Sequence, residues 1–177
     1  MAASSNHPLS SVTAVNPPTV AGRRAPAEYV DPFIGTTAGG NVFPGPSMPF
    51  GMVQLGPDTQ GPGANYDYHN PDIQGFSMTH MSGDGSTAEG DVFFTATTGP
   101  LHTQVKNFQS NFSHSEESAS PGYYRVNLLR WNINVQLTAT MHCGAAKFTF
   151  PAGKQANILI PISHTLNYTT ASKIDVV

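Results

Sequence analysis

From Trp131 to Thr140 apolar and polar residues alternate without a break: Trp, Asn, Ile, Asn, Val, Gln, Leu, Thr, Ala, Thr. In an extended chain successive side chains point to opposite faces, so this run fits a strand with one buried and one wet face. At helical spacing the same residues would scatter around the axis. Two further runs follow, Cys143 to Phe150 and Ala156 to Ile162, and the turn Pro151-Ala152-Gly153-Lys154 between them suits a hairpin. Upstream, Gly51-Met52-Val53-Gln54-Leu55, Asp91 to Ala96 and Tyr123 to Leu128 are short apolar runs bounded by Gly, Pro, Asn or Asp. No window shows a helical face with caps. The chain holds 17 glycines and 15 prolines, and only 11% of its residues are charged, against about 25% in ordinary globular chains. That balance favours many turns over long solvated helices. Short strands at close intervals predict an all-β, antiparallel sandwich, and 177 residues suffice for one domain with a real core.

Charge and cysteine usage exclude several partners. The net charge is −3 and the densest basic cluster is the pair Arg23-Arg24, so the positive surface that a phosphate backbone requires is missing and no nucleic acid is expected. No apolar run reaches the 18 or so residues of a membrane span, so no membrane partner is expected either. The N-terminus lacks the basic-then-apolar order of a signal peptide. Residues 1–28, rich in Ser, Ala, Pro and Asn, read as a flexible leader, with the domain proper at 29–177. Seven histidines show no H-x3-H spacing, and a single cysteine, Cys143, can form no internal disulfide. Its expected role is a small buried apolar residue. Asn111-Phe112-Ser113 and Asn167-Tyr168-Thr169 are glycan-acceptor triplets in a secretory setting.

The stretch Ser77 to Phe94, "SMTHMSGDGSTAEGDVFF", invites a nucleotide or metal reading. Gly83-Asp84-Gly85-Ser86-Thr87-Ala88 fits G-x-G-x-x-A, but a dinucleotide loop needs a helix directly after it, and a strand-like run follows instead. An EF-hand needs Gly at its sixth position, where a count from Asp84 places Glu89. Asp84, Glu89 and Asp91 could ligate calcium in an irregular loop, but solvated turn acids are the commoner explanation, and no metal ligand is assigned in this chain.

Four segments carry a more specific signal: "DPFIGT" (Asp31 to Thr36), "FPGPSMPFGMVQLGPDT" (Phe43 to Thr59), "NYDYHNPDIQGFSMTHMSG" (Asn65 to Gly83) and "EGD" (Glu89 to Asp91). In order and spacing they resemble the N-terminal domain of glycoside hydrolase family 92, whose members are calcium-dependent, exo-acting, inverting α-mannosidases. The resemblance runs from Tyr29 onward and from Gln104 persists as a β pattern more than as words. It implies a galactose mutarotase-like supersandwich, incomplete at its C-terminal end, that packs on an (α/α)6 catalytic barrel with the active site between them. The barrel would supply Ca2+ and the two carboxylates that an inverting glycosidase needs about 6.5–9.5 Å apart. Neither carboxylate has a matching position here, so no catalytic residue is assigned and the chain alone is expected to be inactive. A mannose-containing glycan and the barrel are the implied partners. Family members are often secreted or periplasmic, and a cytosolic place stays open.

A pyranose presents an apolar C–H face and a ring of hydroxyls, so a site that grips it combines aromatic groups with convergent amide, carboxylate and imidazole groups. Tyr66-Asp67-Tyr68-His69 and Thr79-His80-Met81-Ser82 offer that chemistry, and the Gly-rich loop from Gly35 to Gly40 approaches the substrate edge in the implied arrangement. The expected sugar contacts are Thr36, Tyr66, Asp67, Tyr68, His69, His80 and Ser82. Bland roles stand beside these: His80 as a core histidine bonded to backbone, Tyr66 and Tyr68 as packing residues, and Phe43, Phe50 and Phe76 as core. Three classes of function remain open at this level: the sugar-contacting domain of an α-mannosidase, a stand-alone carbohydrate-binding module, and a purely structural packing domain.

Overall fold

The alternating run becomes the centre of the largest sheet. The structure is a computed structural model and describes residues 24–37, 39–59, 64–85, 89–162, 164, 173 and 175. Strands β5 (Ser118–Ser120), β6 (Tyr123–Leu128), β7 (Ile133–Ala139) and β8 (Gly144–Thr149) form an antiparallel sheet in that order. β7 buries Ile133, Val135 and Leu137 on one face and leaves Asn134 and Gln136 half-buried on the other. The wet face carries an amide ladder: Gln136 Nε2 donates to Asn134 Oδ1 at 3.0 Å and Asn134 Nδ2 to Asn127 Oδ1 at 2.6 Å.

Trp131 lies ahead of the strand that its pattern announces. It sits in the β6–β7 turn, where Asn132 takes φ 53° and its N–H donates to Leu129. The Trp131 indole instead donates to the Phe108 carbonyl at 2.8 Å, at the end of a single α turn, α1 (Val105–Phe108).

Two smaller antiparallel sheets face the same core. β1 (Gly56–Thr59), β2 (Asp72–Ser77) and β4 (Ser110–Asn111) form one, and β3 (Thr95–Thr98) with β9 (Ala156–Leu159) forms the other. They are tied by Phe76 and Phe94, whose backbones exchange hydrogen bonds of 2.9 and 2.8 Å. Leu55, Ile73, Phe76, Phe94 and Ala96 from this side share one cluster with Tyr124, Val126, Leu128, Ile133, Val135 and Leu137 of the four-stranded sheet. Burial of such side chains contributes about 1.5–3 kcal/mol each before chain entropy is counted, so this cluster is the main source of fold stability.

Several expectations shift. The strand expected at 51–55 forms one step later, at Gly56–Thr59, because a turn bonded from Gly51 N–H to the Met48 carbonyl places Phe50 at φ 59°. Among the described residues, the pairing ahead of the strand is an isolated bridge, Ser47 to Gln54. Phe50 is fully exposed rather than core, whereas Phe43 and Phe76 are buried as expected. Cys143 is exposed, not buried. It closes the turn before β8, where its N–H donates to Thr140 Oγ1 at 3.1 Å. Of the expected leader, 24–28 are described and enter a 3-10 turn at Pro26–Tyr29. Residues 1–23, the sequon at Asn167 and the positions Ser86 to Ala88 lie outside the described residues.

Candidate functional site

The loop between β1 and β2 is held from within. Thr59 N–H donates to the Asn65 carbonyl at 2.7 Å, and Thr59 Oγ1 accepts from Asp67 N–H at 2.8 Å. Asn65 takes φ 65°, a left-handed conformation that asparagine tolerates better than most residues. The 31–37 segment docks on this loop: Thr36 folds back on Phe33 by its N–H and its Oγ1, and the Thr36 carbonyl accepts from Tyr68 N–H at 3.1 Å. Asp67 Oδ1 caps the next turn by accepting His69 N–H at 2.9 Å.

Together these loops enclose a cavity of about 250 Å³ lined by Thr36, Thr37, Gly39, Gly40, Asn41, Tyr66, Asp67 and His69. Gly40 lies against the Gly35 carbonyl so closely that a Cβ would overlap it, and Gly39 takes φ +76°, so the rim can be built only with glycine at these points. A second cavity, about 390 Å³, adjoins it and is lined by Tyr68, His69, Asn70, Pro71, Phe112, Ser113 and His114. His69 lines both. Tyr68 stacks on His114 with centroids 3.7 Å apart and planes at 3°.

Four of the seven expected contacts, Thr36, Tyr66, Asp67 and His69, thus share one cavity, and Tyr68 and His69 line its neighbour. The other two lie elsewhere. The His80 side chain is completely buried, with Nδ1 2.8 Å from the Gln54 carbonyl, Nε2 3.1 Å from Asp58 Oδ1, and Phe43 stacked on it at 4.6 Å. Both ring nitrogens thus face acceptor oxygens of the protein. Ser82 lies on an exposed turn that meets the first cavity at Asn41, where the Gly83 N–H donates to the Asn41 carbonyl at 2.7 Å. Asp58 is itself buried, and its Oδ1 also accepts from Ser77 Oγ at 3.0 Å and Asn65 Nδ2 at 3.2 Å.

Sequence reasoning missed Glu117. Its buried carboxylate accepts from Tyr66 OH at 2.9 and 3.1 Å and from Tyr124 OH at 2.6 Å, and it lies 2.6 Å from His114 Nδ1. Burial, and after it the charge of Glu117, raises both phenols far above the ordinary tyrosine range, so each stays a donor. Tyr66 is 51 positions away in sequence, and local patterning carries no trace of such a pair. The available signal was a glutamate beside β5, whose Ala119 pairs with Tyr124.

Fold and cavities define an all-β domain whose connecting loops build a mixed aromatic and polar site. Residues 29–177 match the Glycosyl hydrolase family 92 N-terminal domain, and the chain belongs to that family. It is 30% identical over 151 residues to an uncharacterized secreted glycosidase of Arthroderma benhamiae, a match covering 76% of this chain and 19% of the relative. It is similar in structure to the family GH92 α-mannosidase BT3965 of Bacteroides thetaiotaomicron, solved with mannoimidazole, at 36% identity and a TM-score of 0.67 over 71% of this chain and 18% of that one. The GH92 glycosyl hydrolase ccman5 is 28% identical, with a TM-score of 0.68 over 76% of this chain and 20% of its own. The chain therefore spans about a fifth of the length of these relatives. Among the described residues no helix is long and apolar enough to cross a membrane.

Proposed function

We propose that this domain forms one wall of a mannoside-binding site that a catalytic domain completes in a family 92 α-mannosidase. The observation that carries this reading is the cavity shared by Thr36, Tyr66, Asp67 and His69. A carboxylate and an imidazole on one rim can bridge vicinal sugar hydroxyls, and an aromatic edge beside them can meet the C–H face. His80 and Ser82 support this wall from behind and beside it, His80 through the β1–β2 strands and Ser82 through the turn bonded to Asn41.

The same cavity argues for binding without turnover. Asp67 is the one carboxylate among its described lining residues, and inversion needs two. Glu117 already accepts hydrogen bonds from two phenols and faces an imidazole, so it is not free to act as a lone acid. Ca2+ takes 6–8 oxygen ligands. Among the described residues no group of three or more His, Cys, Asp or Glu is placed to hold a metal. In this reading the ion of the whole enzyme is held by the catalytic domain. Glycans ending in α-mannose are the substrate class that this reading assigns to the whole enzyme, and secretion is the location that suits it.

The purified chain should retain α-mannose-terminated glycans on an array and should not hydrolyse an aryl α-mannoside, since the described residues that line the cavity offer one carboxylate and not an acid–base pair. Hydrolysis by purified protein that survives removal of contaminants would overturn the binding-only assignment. A purely structural role is favoured by one observation, the exposed apolar residues Ile34, Phe50, Met52, Leu101 and Ile160. Mannoside turnover by the whole enzyme that is unchanged by Asp67→Ala and by His69→Ala would select it.

A further inference from the structure

Resting on the mannoside reading, the geometry points to Glu117 as a positioning residue for the sugar-facing loop 64–69, acting through Tyr66 on one cavity and through His114 and Tyr68 on the other. The Glu117 side chain is 1% exposed, so it touches no ligand itself. Its two oxygens share the Tyr66 hydroxyl at 2.9 and 3.1 Å, which fixes the ring that lines the first cavity. On the other side His114 Nδ1 lies 2.6 Å from Oε2, and His114 Nε2 lies 2.8 Å from the Tyr68 carbonyl. The imidazole is thereby a strut between the carboxylate and the backbone of the loop, and its stacking on Tyr68 holds the second cavity's wall. Tyr124 OH, at 2.6 Å from Oε1, anchors the carboxylate to β6 and lines neither cavity.

A carboxylate so placed sets the loop more tightly than a neutral group could, because charge-assisted hydrogen bonds are shorter and about twice as strong as neutral ones. An amide offers one acceptor oxygen and brings an N–H2 that would face the donor groups of Tyr66 or His114. Glu117→Gln should therefore loosen 64–69 while preserving side-chain volume. Tyr124→Phe should lower stability from the anchoring side and leave the loop where it is.

The test uses the complete 177-residue chain, with backbone amide NMR shifts at 66–69, affinity for methyl α-mannopyranoside, and thermal midpoint measured together. Glu117→Gln is expected to lower the midpoint, to move those amide signals and to weaken the sugar about tenfold. Tyr124→Phe is expected to lower the midpoint with the 66–69 signals unmoved and affinity within about twofold of the parent. Tyr66→Phe, a milder change, should reproduce the shifts if Glu117→Gln fails to fold. A lower midpoint with unmoved 66–69 signals in both Glu117→Gln and Tyr66→Phe overturns the proposal. If the signals move but even the parent chain ignores the sugar, the positioning role stands and the mannoside reading falls.

Discussion

His80 takes the second of the two roles open to it, a core histidine bonded to backbone rather than a sugar contact. Its neighbours in sequence, Thr79 and Ser82, suggest a polar loop aimed at a ligand, but the ring is enclosed between Phe43 and Asp58 with both nitrogens engaged. Removing it leaves the buried Asp58 with one donor fewer, in a group whose Oδ2 already has no partner among the described residues. His80→Ala should therefore cost about 2–4 kcal/mol of stability in urea unfolding, combining a lost partner with a cavity. Asp84, on an exposed turn, should tolerate Asn with no change in the same measurement. Equal unfolding midpoints for both variants would contradict the buried role. Core residues with ordinary apolar chemistry, such as Phe43 and Phe76, were legible because burial is their default. Phe50, Cys143 and Glu117 were not, since a left-handed turn, a strand-end position and a contact across the fold each leave no local pattern.

At the scale of elements, period-two alternation and Gly/Pro punctuation located β6, β7 and β8 within a residue or two, and fixed the start of β9 while running three residues past its end. They failed where turn geometry decides. β1 starts at Gly56 because the segment before it is committed to the Phe50 turn and to the passage of Gly45 under Leu55. At Gly45 a Cβ would overlap the Leu55 carbonyl, a backbone atom that cannot give way without moving β1. Gly45→Ala should cost about 3 kcal/mol, the upper part of the overpacking range. Gly153, in the predicted turn between β8 and β9, has open space around its Cβ position and φ +72°. Gly153→Ala should cost about 1–2 kcal/mol, from backbone conformation alone. Chemical unfolding of both variants checks the order, and a Gly153→Ala effect larger than that of Gly45→Ala would contradict the packing described for β1.

The whole molecule carries one electrostatic signature that follows from its core. Tyr66 and Tyr124 are both raised from the ordinary value of 10.0, first by burial and then by Glu117. In the unfolded chain both phenols ionise near pH 10, while in the folded protein both stay protonated above it. The unfolded state then binds fewer protons, so stability is unaffected below about pH 10 and falls as pH rises beyond it. Once both unfolded phenols are ionised the slope should approach 2.7 kcal/mol per pH unit, roughly. Urea unfolding at a series of alkaline pH values reads this directly, and Tyr66→Phe should halve the slope. Family membership was legible at this scale because long segments with fixed turns, such as "FPGPSMPFG", occur in order, and their Pro and Gly residues fix backbone shape. The buried Glu117 network that braces the loops was not, because it is written in three-dimensional contacts alone.

The central claim, that the loops of this domain form a wall for a mannoside, is tested most directly by titrating the isotopically labelled chain with methyl α-mannopyranoside and following the backbone amide signals. The expected result is a saturable shift confined to Thr36, Asn41, Tyr66, Asp67 and His69, the residues around the 250 Å³ cavity, with the β6–β7 sheet unmoved. Shifts that map to another surface, or none at high sugar concentration, would contradict it.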